Sequence, residues 1–109
     1  MIATKTTISV ARDFSPNPAG RFPSDGQFNG ERFRNEFLIP ALKTDEPVTI
    51  DFDGTEGYGS SFLDEAFGGL VRAGFQADLL RNRLQIKSEE DPSVVQEIMG
   101  YINDVAPQR

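Results

Sequence analysis

Apolar positions recur along this chain with two spacings. Thr6-Thr7-Ile8-Ser9-Val10-Ala11 is rich in β-branched residues and predicts a strand. Pro47 opens a second strand, Val48-Thr49-Ile50-Asp51-Phe52-Asp53. Leu84-Gln85-Ile86-Lys87 alternates over a shorter run and reads as an edge or half-covered strand. Between these runs the spacing is helical. Asn29 is a good cap, and Phe33, Phe37, Leu38, Ala41 and Leu42 follow it on one stripe. Pro40 is expected to kink or divide that helix. Phe62, Leu63, Ala66, Phe67, Leu70 and Val71 form the next stripe, starting near Ser61 and stopped by Gly74. Asp91-Pro92 then offers a cap and a first-turn proline ahead of Val94, Val95, Ile98, Met99 and Ile102.

Strand and helix alternate three times, which favours a parallel sheet with right-handed crossovers. The expected fold class is α/β: one small domain over residues 1–109, a mostly parallel sheet, and about three helices covering at least one face. Arg12 to Phe28 breaks the pattern. Pro16, Pro18, Gly20, Pro23 and Gly26 make it a loop, with a short extended piece around Arg21-Phe22. A connection that long in a small domain points to function or to a partner. Its rings, Phe14, Phe22 and Phe28, either mark an interface or tuck back onto the core.

Composition narrows the chemistry. The 109 residues contain no cysteine and no histidine. Disulfides, thiolate nucleophiles, imidazole bases and zinc sites of the Cys/His kind are therefore excluded. The charge of −6 disfavours nucleic acid, because an acidic surface repels phosphates. No apolar run reaches the length of a membrane span, so no membrane partner is expected. Met1 to Lys5 lacks the apolar stretch of a leader, which makes a cytoplasmic location the expectation. Nothing in the sequence fixes whether the chain self-associates.

The most informative segment is Val48 to Val71. A strand ends in acidic residues, a turn follows with Gly54, Gly57 and Gly59, and two serines open a helix. Sites in open α/β sheets lie at the carboxyl ends of strands, where this turn sits. Ser61-x-x-Asp64 fits a capping box, with Ser61 as the cap. That leaves Ser60 without a local task. A phosphate on Ser60 would meet free backbone N–H groups at the helix start, whereas Asp64 and Glu65 would repel it. Gly68-Gly69 inside the helix costs about 1 kcal/mol per glycine relative to alanine. Close packing of helix on sheet is the expected compensation; the approach of a partner's helix is the alternative.

Gly30-Glu31-Arg32-Phe33-Arg34 together with Tyr58-Gly59-Ser60-Ser61-Phe62-Leu63-Asp64-Glu65-Ala66-Phe67-Gly68-Gly69-Leu70 resembles the STAS-like family of unknown function. The similarity runs from about Thr7 to Ile102. It is related to the STAS fold of bacterial anti-anti-sigma factors, where Asp-Ser-Ser-Gly stands at the helix start. The resemblance implies a non-enzymatic, regulatory protein-binding module with no cofactor, whose partner is a histidine-kinase-like ATPase. It also implies a switch in which the first serine, here Ser60, receives phosphate and the complex breaks; Ser61 is the second candidate. Gly59 stands where that motif has Asp, and Phe62 where it has Gly. The implied docking surface comprises Gly57, Tyr58, Gly59, Ser60, Ser61, Phe62, Asp64 and Glu65.

Asp51-Phe52-Asp53-Gly54-Thr55 resembles a different signature, the Asp-x-Asp-Gly-Thr of haloacid-dehalogenase-type phosphatases. That resemblance implies a Mg²⁺-dependent phosphotransferase with Asp51 as nucleophile and Asp53 as acid/base. Lys87 or Ser88 would bind phosphate, and Glu89, Glu90 or Asp91 would supply the distal acid. Only one clear strand follows the motif, and that fold needs more. Asp51, Asp53 and Glu56 are also candidates for a Mg²⁺ site without hydrolysis. A constitutive subunit of a larger assembly is the third reading.

Overall fold

The three strands form one parallel sheet in the order β1-β2-β3: β1 Thr6–Ser9, β2 Val48–Asp51 and β3 Leu84–Lys87. These positions come from a computed structural model that describes residues 6–105; Met1 to Lys5, read for a leader, lie outside it. The expected third strand is matched residue for residue, and it is an edge strand. The first two strands end two residues earlier than expected. Val10–Phe14 leaves the sheet as one wide turn of π-helix, capped by the Ser9 side chain, which accepts the Arg12 N–H at 3.2 Å.

The register aligns Ile8, Ile50 and Ile86 in one row, and Ser9, Asp51 and Lys87 in the next. Ile8, Val48, Ile50 and Leu84 are buried under the helices, while Thr7 and Gln85 on the opposite face are exposed. The sheet is thus apolar on one side and polar on the other, the consequence of a two-residue side-chain period.

Helix α1 spans residues 30–42. Asn29 caps it, its side chain accepting the Arg32 N–H at 2.9 Å. Pro40 does not divide it. Instead Arg34–Leu38 widens into a π turn, with the Ile39 N–H donating to the Arg34 carbonyl. The proline ring would clash with the carbonyl of Glu36 in a regular helix, and that carbonyl lies within the widened turn.

Helix α2 spans residues 60–72 and carries a similar π turn at Asp64–Gly68. It stops as predicted at Gly74, where φ is +113°. The Gly74 N–H donates to Val71 and the Phe75 N–H to Leu70, both at 3.0 Å, the bond pair of a Schellman motif. A short helix absent from the sequence reading, α3 (Ala77–Arg83), leads straight into β3. Helix α4 (Ser93–Val105) closes the fold, burying Val94, Ile98 and Ile102.

Two groups of rings, joined where Phe33 meets Phe67 at 6.3 Å, fill the core. Phe14, Phe33, Phe37 and Phe62 stack and tilt against one another with centroids between 5.0 and 6.1 Å. Phe52 bridges Phe67 and Tyr58 at 6.2 and 5.4 Å. Fully burying each such ring stabilises by about 1.5–3 kcal/mol. The loop rings therefore divide: Phe14 and Phe28 tuck inward, and only Phe22 stays out, at 44% exposure.

The 12–29 segment is held, not free. Ala19 donates to Phe28, Gly30 to Gly20 and Glu31 to Arg21 through backbone bonds of 2.9–3.0 Å. Asp25 accepts the N–H groups of Arg21 and Phe22, which lowers its pKa.

Candidate functional site

The turn from Phe52 to Gly59 joins the end of β2 to the start of α2. Asp51 accepts the Asp53 N–H at 2.9 Å, the side-chain turn that Asp favours. Gly54 takes a φ of +93°, open to glycine and costly to other residues. Gly54 also donates to Glu90, tying this turn to the loop after β3.

Asp53 is the anchor of that loop. Its carboxylate accepts the backbone N–H groups of Glu90 and Glu89 at 2.9 Å, and these bonds hold its pKa below the usual range. Lys87 lies 3.6 Å from Asp51 and 3.4 Å from Asp53, and the Asp51 charge first, then the Asp53 bond, raises its pKa. Glu56 turns elsewhere and accepts a bond from Asn17 at 3.3 Å. Asp51, Asp53 and Glu56 are thus not assembled around one point. Among the described residues no group of three such side chains is placed to hold a metal ion. The two aspartates are linked to Lys87 and to backbone instead.

A cleft of about 380 Å³ opens beside this turn, lined by Phe52, Thr55, Gly57, Tyr58, Ser88 and Asp91. The Tyr58 hydroxyl donates to Asp91 across it. Burial and that bond push the Tyr58 pKa up. The same bond, after that from Ser93, lowers the pKa of Asp91.

Helix α2 begins one residue earlier than expected. Gly59 is the cap residue, in extended conformation, and Leu63 donates to its carbonyl at 3.2 Å. Ser60 and Ser61 occupy the first two helical positions, and no side chain caps this end. The Ser61–Asp64 capping box is therefore not formed. Asp64 is drawn to Arg21 at 2.8 Å instead, an ion pair from a distant loop displacing a local bond.

The eight residues read as a docking surface separate into two groups. Gly57 and both serines are exposed, and Tyr58 and Gly59 are half-buried beside them. Phe62 is wholly buried and Glu65 is 8% exposed, so neither belongs to a surface. Phe62 packs among the phenylalanines at the core. Glu65 binds Arg34 at 2.8 Å and lies 3.6 and 3.5 Å from Arg21 and Arg72. Asp64 is half-buried in the same network, 3.7 Å from Arg72.

Gly30 and Gly69 make that network possible. A Cβ on Gly30 would lie 2.7 Å from the Phe62 carbonyl and 2.8 Å from the Glu65 Cβ, so α1 and α2 touch backbone to backbone there. The Arg34 guanidinium lies directly over Gly69. The space made by this glycine is filled by a side chain of α1, where helix-on-sheet contact had been expected.

The serines themselves differ. The Ser60 hydroxyl donates to Glu97 of α4 at 3.1 Å, and the Tyr101 hydroxyl donates to the same carboxylate oxygen at 2.7 Å. Both serines line a groove of about 580 Å³ with Gly20, Arg21, Asp25 and Gly59, and Ser61 does so without a hydrogen bond to Glu97. Arg21, Glu97 and Tyr101 went unnoticed in the sequence. Arg21 is 43 residues from its partner Asp64, and nothing local marks it.

Three parallel strands in one sheet with helices packed on it form an α/β fold consistent with a STAS-like domain. The chain belongs to the family described as a STAS-like domain of unknown function (DUF4325), whose pattern matches residues 29–94. That span contains α1, β2, the serine turn, α2 and β3. No curated protein and no solved structure matches the chain. No helix among the described residues is long and apolar enough to cross a membrane.

Proposed function

We propose that this chain is a cytoplasmic, non-enzymatic regulatory module that docks a protein partner at the serine turn, and that phosphate on the serine pair releases the partner. The observation that carries this reading is the exposure of Gly57, Ser60 and Ser61 beside buried Phe62. The turn is accessible, yet its position is fixed by a core ring two residues away. The partner class, a histidine-kinase-like ATPase, follows from the resemblance to anti-anti-sigma factors.

Docking needs little reorganisation of a turn held this way, which limits the entropy lost on binding. A phosphoserine adds nearly two negative charges to the turn. Glu97, Asp25 and Asp64 are already near it, so a partner that meets an acidic or apolar surface here is repelled.

The test uses the purified chain and the proteins encoded beside its gene, with any kinase-like ATPase among them taken first. Binding is measured by calorimetry before and after incubation with ATP and Mg²⁺, with intact mass and peptide mapping of residues 48–71. The expected result is one added phosphate on the serine pair and affinity at least about tenfold weaker, equivalent to about 1.4 kcal/mol. Unchanged affinity with phosphate present removes the switch. Failure of the unmodified chain to bind removes the docking reading. Phosphate on Asp51 instead of serine would establish the phosphotransferase alternative.

A second reading, a constitutive subunit, is favoured by one ring. Phe22 is exposed at the tip of a well-held loop, a placement that suits a permanent interface. Phe22→Ser would then abolish assembly while leaving the serine turn intact.

A further inference from the structure

The geometry points to Ser61, paired with Arg21 across the groove, as the residue that carries a phosphate, with Ser60 held in reserve by Glu97. This inference rests on the reading of the serine pair as a modification site, and it decides which serine and what receives the phosphate.

Three observations carry it. First, Ser61 stands three and four residues before Asp64 and Glu65, so all three share one face of α2. Arg21 already holds both carboxylates, at 2.8 and 3.6 Å. Its guanidinium therefore sits on the face of α2 one turn beyond Ser61, and one groove contains Arg21 and both serines. Second, those carboxylates do not depend on Arg21 alone. Glu65 is bound by Arg34 at 2.8 Å, and Arg72 lies within 3.7 Å of Asp64 and 3.5 Å of Glu65. Arg21 can turn toward a new anion while its former partners keep a cation. Third, Ser60 faces the wrong charge. Its hydroxyl is bonded to the Glu97 carboxylate, which a phosphate dianion on Ser60 would confront at hydrogen-bond range.

Arg21 shares the groove with Ser61, against Asp25 and, one turn along α2, Asp64; Arg34 and Arg72 belong to the Asp64–Glu65 network beyond it. Glu97 tips the balance on the Ser60 side. Arginine binds phosphate through two parallel N–H bonds, whereas Arg21 engages Asp64 and Glu65 through a single nitrogen, which leaves the rest of its fork for a new anion.

The covalent step is phosphoryl transfer from a nucleoside triphosphate held by a kinase. The Ser61 hydroxyl oxygen bonds to the terminal phosphorus, the bond from that phosphorus to the bridging oxygen breaks, and the nucleoside diphosphate leaves. The hydroxyl proton passes to a base on the kinase. Arg21 then leaves Asp64 for the phosphate, and the 20–25 segment closes over the groove.

The test needs no kinase and no partner, so its failure is separable from failure of the docking reading. Phosphoserine is incorporated during translation in place of Ser61 in one preparation and of Ser60 in another. The second ionisation of each phosphate is followed by ³¹P NMR. The expected midpoint at Ser61 lies about half a pH unit or more below that at Ser60, since a nearby cation favours the dianion. Arg21→Gln removes the difference, and Arg21→Lys keeps most of it. Hydrogen exchange on the chains with native Arg21 gives an independent reading: amides of residues 20–25 slow with phosphate at Ser61 and not at Ser60. Equal midpoints, or a midpoint at Ser61 indifferent to Arg21, or unchanged exchange would each overturn the assignment.

Discussion

The Arg34 side chain occupies the space where Gly69 lacks a Cβ, one helix filling the gap left by a glycine in the next. From there it reaches the Glu65 carboxylate at 2.8 Å and the Glu65 carbonyl at 3.0 Å. Gly69→Ala gains helix propensity of about 1 kcal/mol but pushes this side chain off its partner. The net expectation is destabilisation by about 1–2 kcal/mol, at the low end of overpacking. Gly30→Ala meets backbone, which cannot rotate away, and is expected to cost about 3 kcal/mol. Urea titration of both variants checks the order; a more stable Gly69→Ala would mean that Arg34 is dispensable.

Removing Glu65 should be worse than removing both members of its pair. Arg34 and Glu65 are 14% and 10% exposed, so an unpaired guanidinium there is poorly solvated. Glu65→Ala is expected to lose about 3 kcal/mol. Combining it with Arg34→Met should recover part of that loss, since the stranded charge goes with the arginine. A double-mutant cycle in urea reads the coupling. Additive losses would show that the pair is not a unit.

Asp53 carries a pH signature. The Glu90 and Glu89 N–H groups lower its folded pKa below the unfolded value of about 3.9. Its contribution to stability is thus complete above that value and fades as pH falls through the lower folded one. Asp53→Asn should reduce the urea midpoint at neutral pH, and the gap to the parent should narrow toward pH 3. A gap that stays constant down to that pH would separate Asp53 from the acid response.

Tyr58 gives the complementary alkaline signal. Burial first, then the bond to Asp91, raises its pKa above the ordinary phenol value. A raised acid stabilises the fold below its unfolded pKa, and that contribution is lost as pH rises through the folded one. The absorbance change of tyrosinate should therefore lag behind free tyrosine. Asp91→Asn, which keeps an acceptor but removes the charge, should bring Tyr58 back toward the ordinary value. An unchanged titration curve in that variant would leave burial as the whole cause.

The sequence by itself determined the three strands, the three long helices α1, α2 and α4, and the place of the serine turn. β3 falls where alternation placed it, because a two-residue period is local information. Asn29 and Gly74 act as cap and stop for the same reason: each bond closes within five residues. The serine turn at the carboxyl end of β2 was legible because glycine and serine mark turn and helix start in any context. The short helix α3 was not, since seven residues with one buried side chain, Leu80, give no stripe to read.

What tertiary structure alone decided is which polar groups meet. Asp64 is three residues from Ser61 and fits a local capping box, yet it answers to Arg21 from another segment. Glu65 looks like surface in the sequence and lies inside, because three arginines from three segments neutralise it. Asp51 and Asp53 resemble a catalytic pair, and the fold commits both to Lys87 and Asp53 to the Glu89 and Glu90 backbone. Charge interactions act between residues brought close by the chain's path and carry no period along the sequence. Their partners are therefore fixed only when the helices have packed.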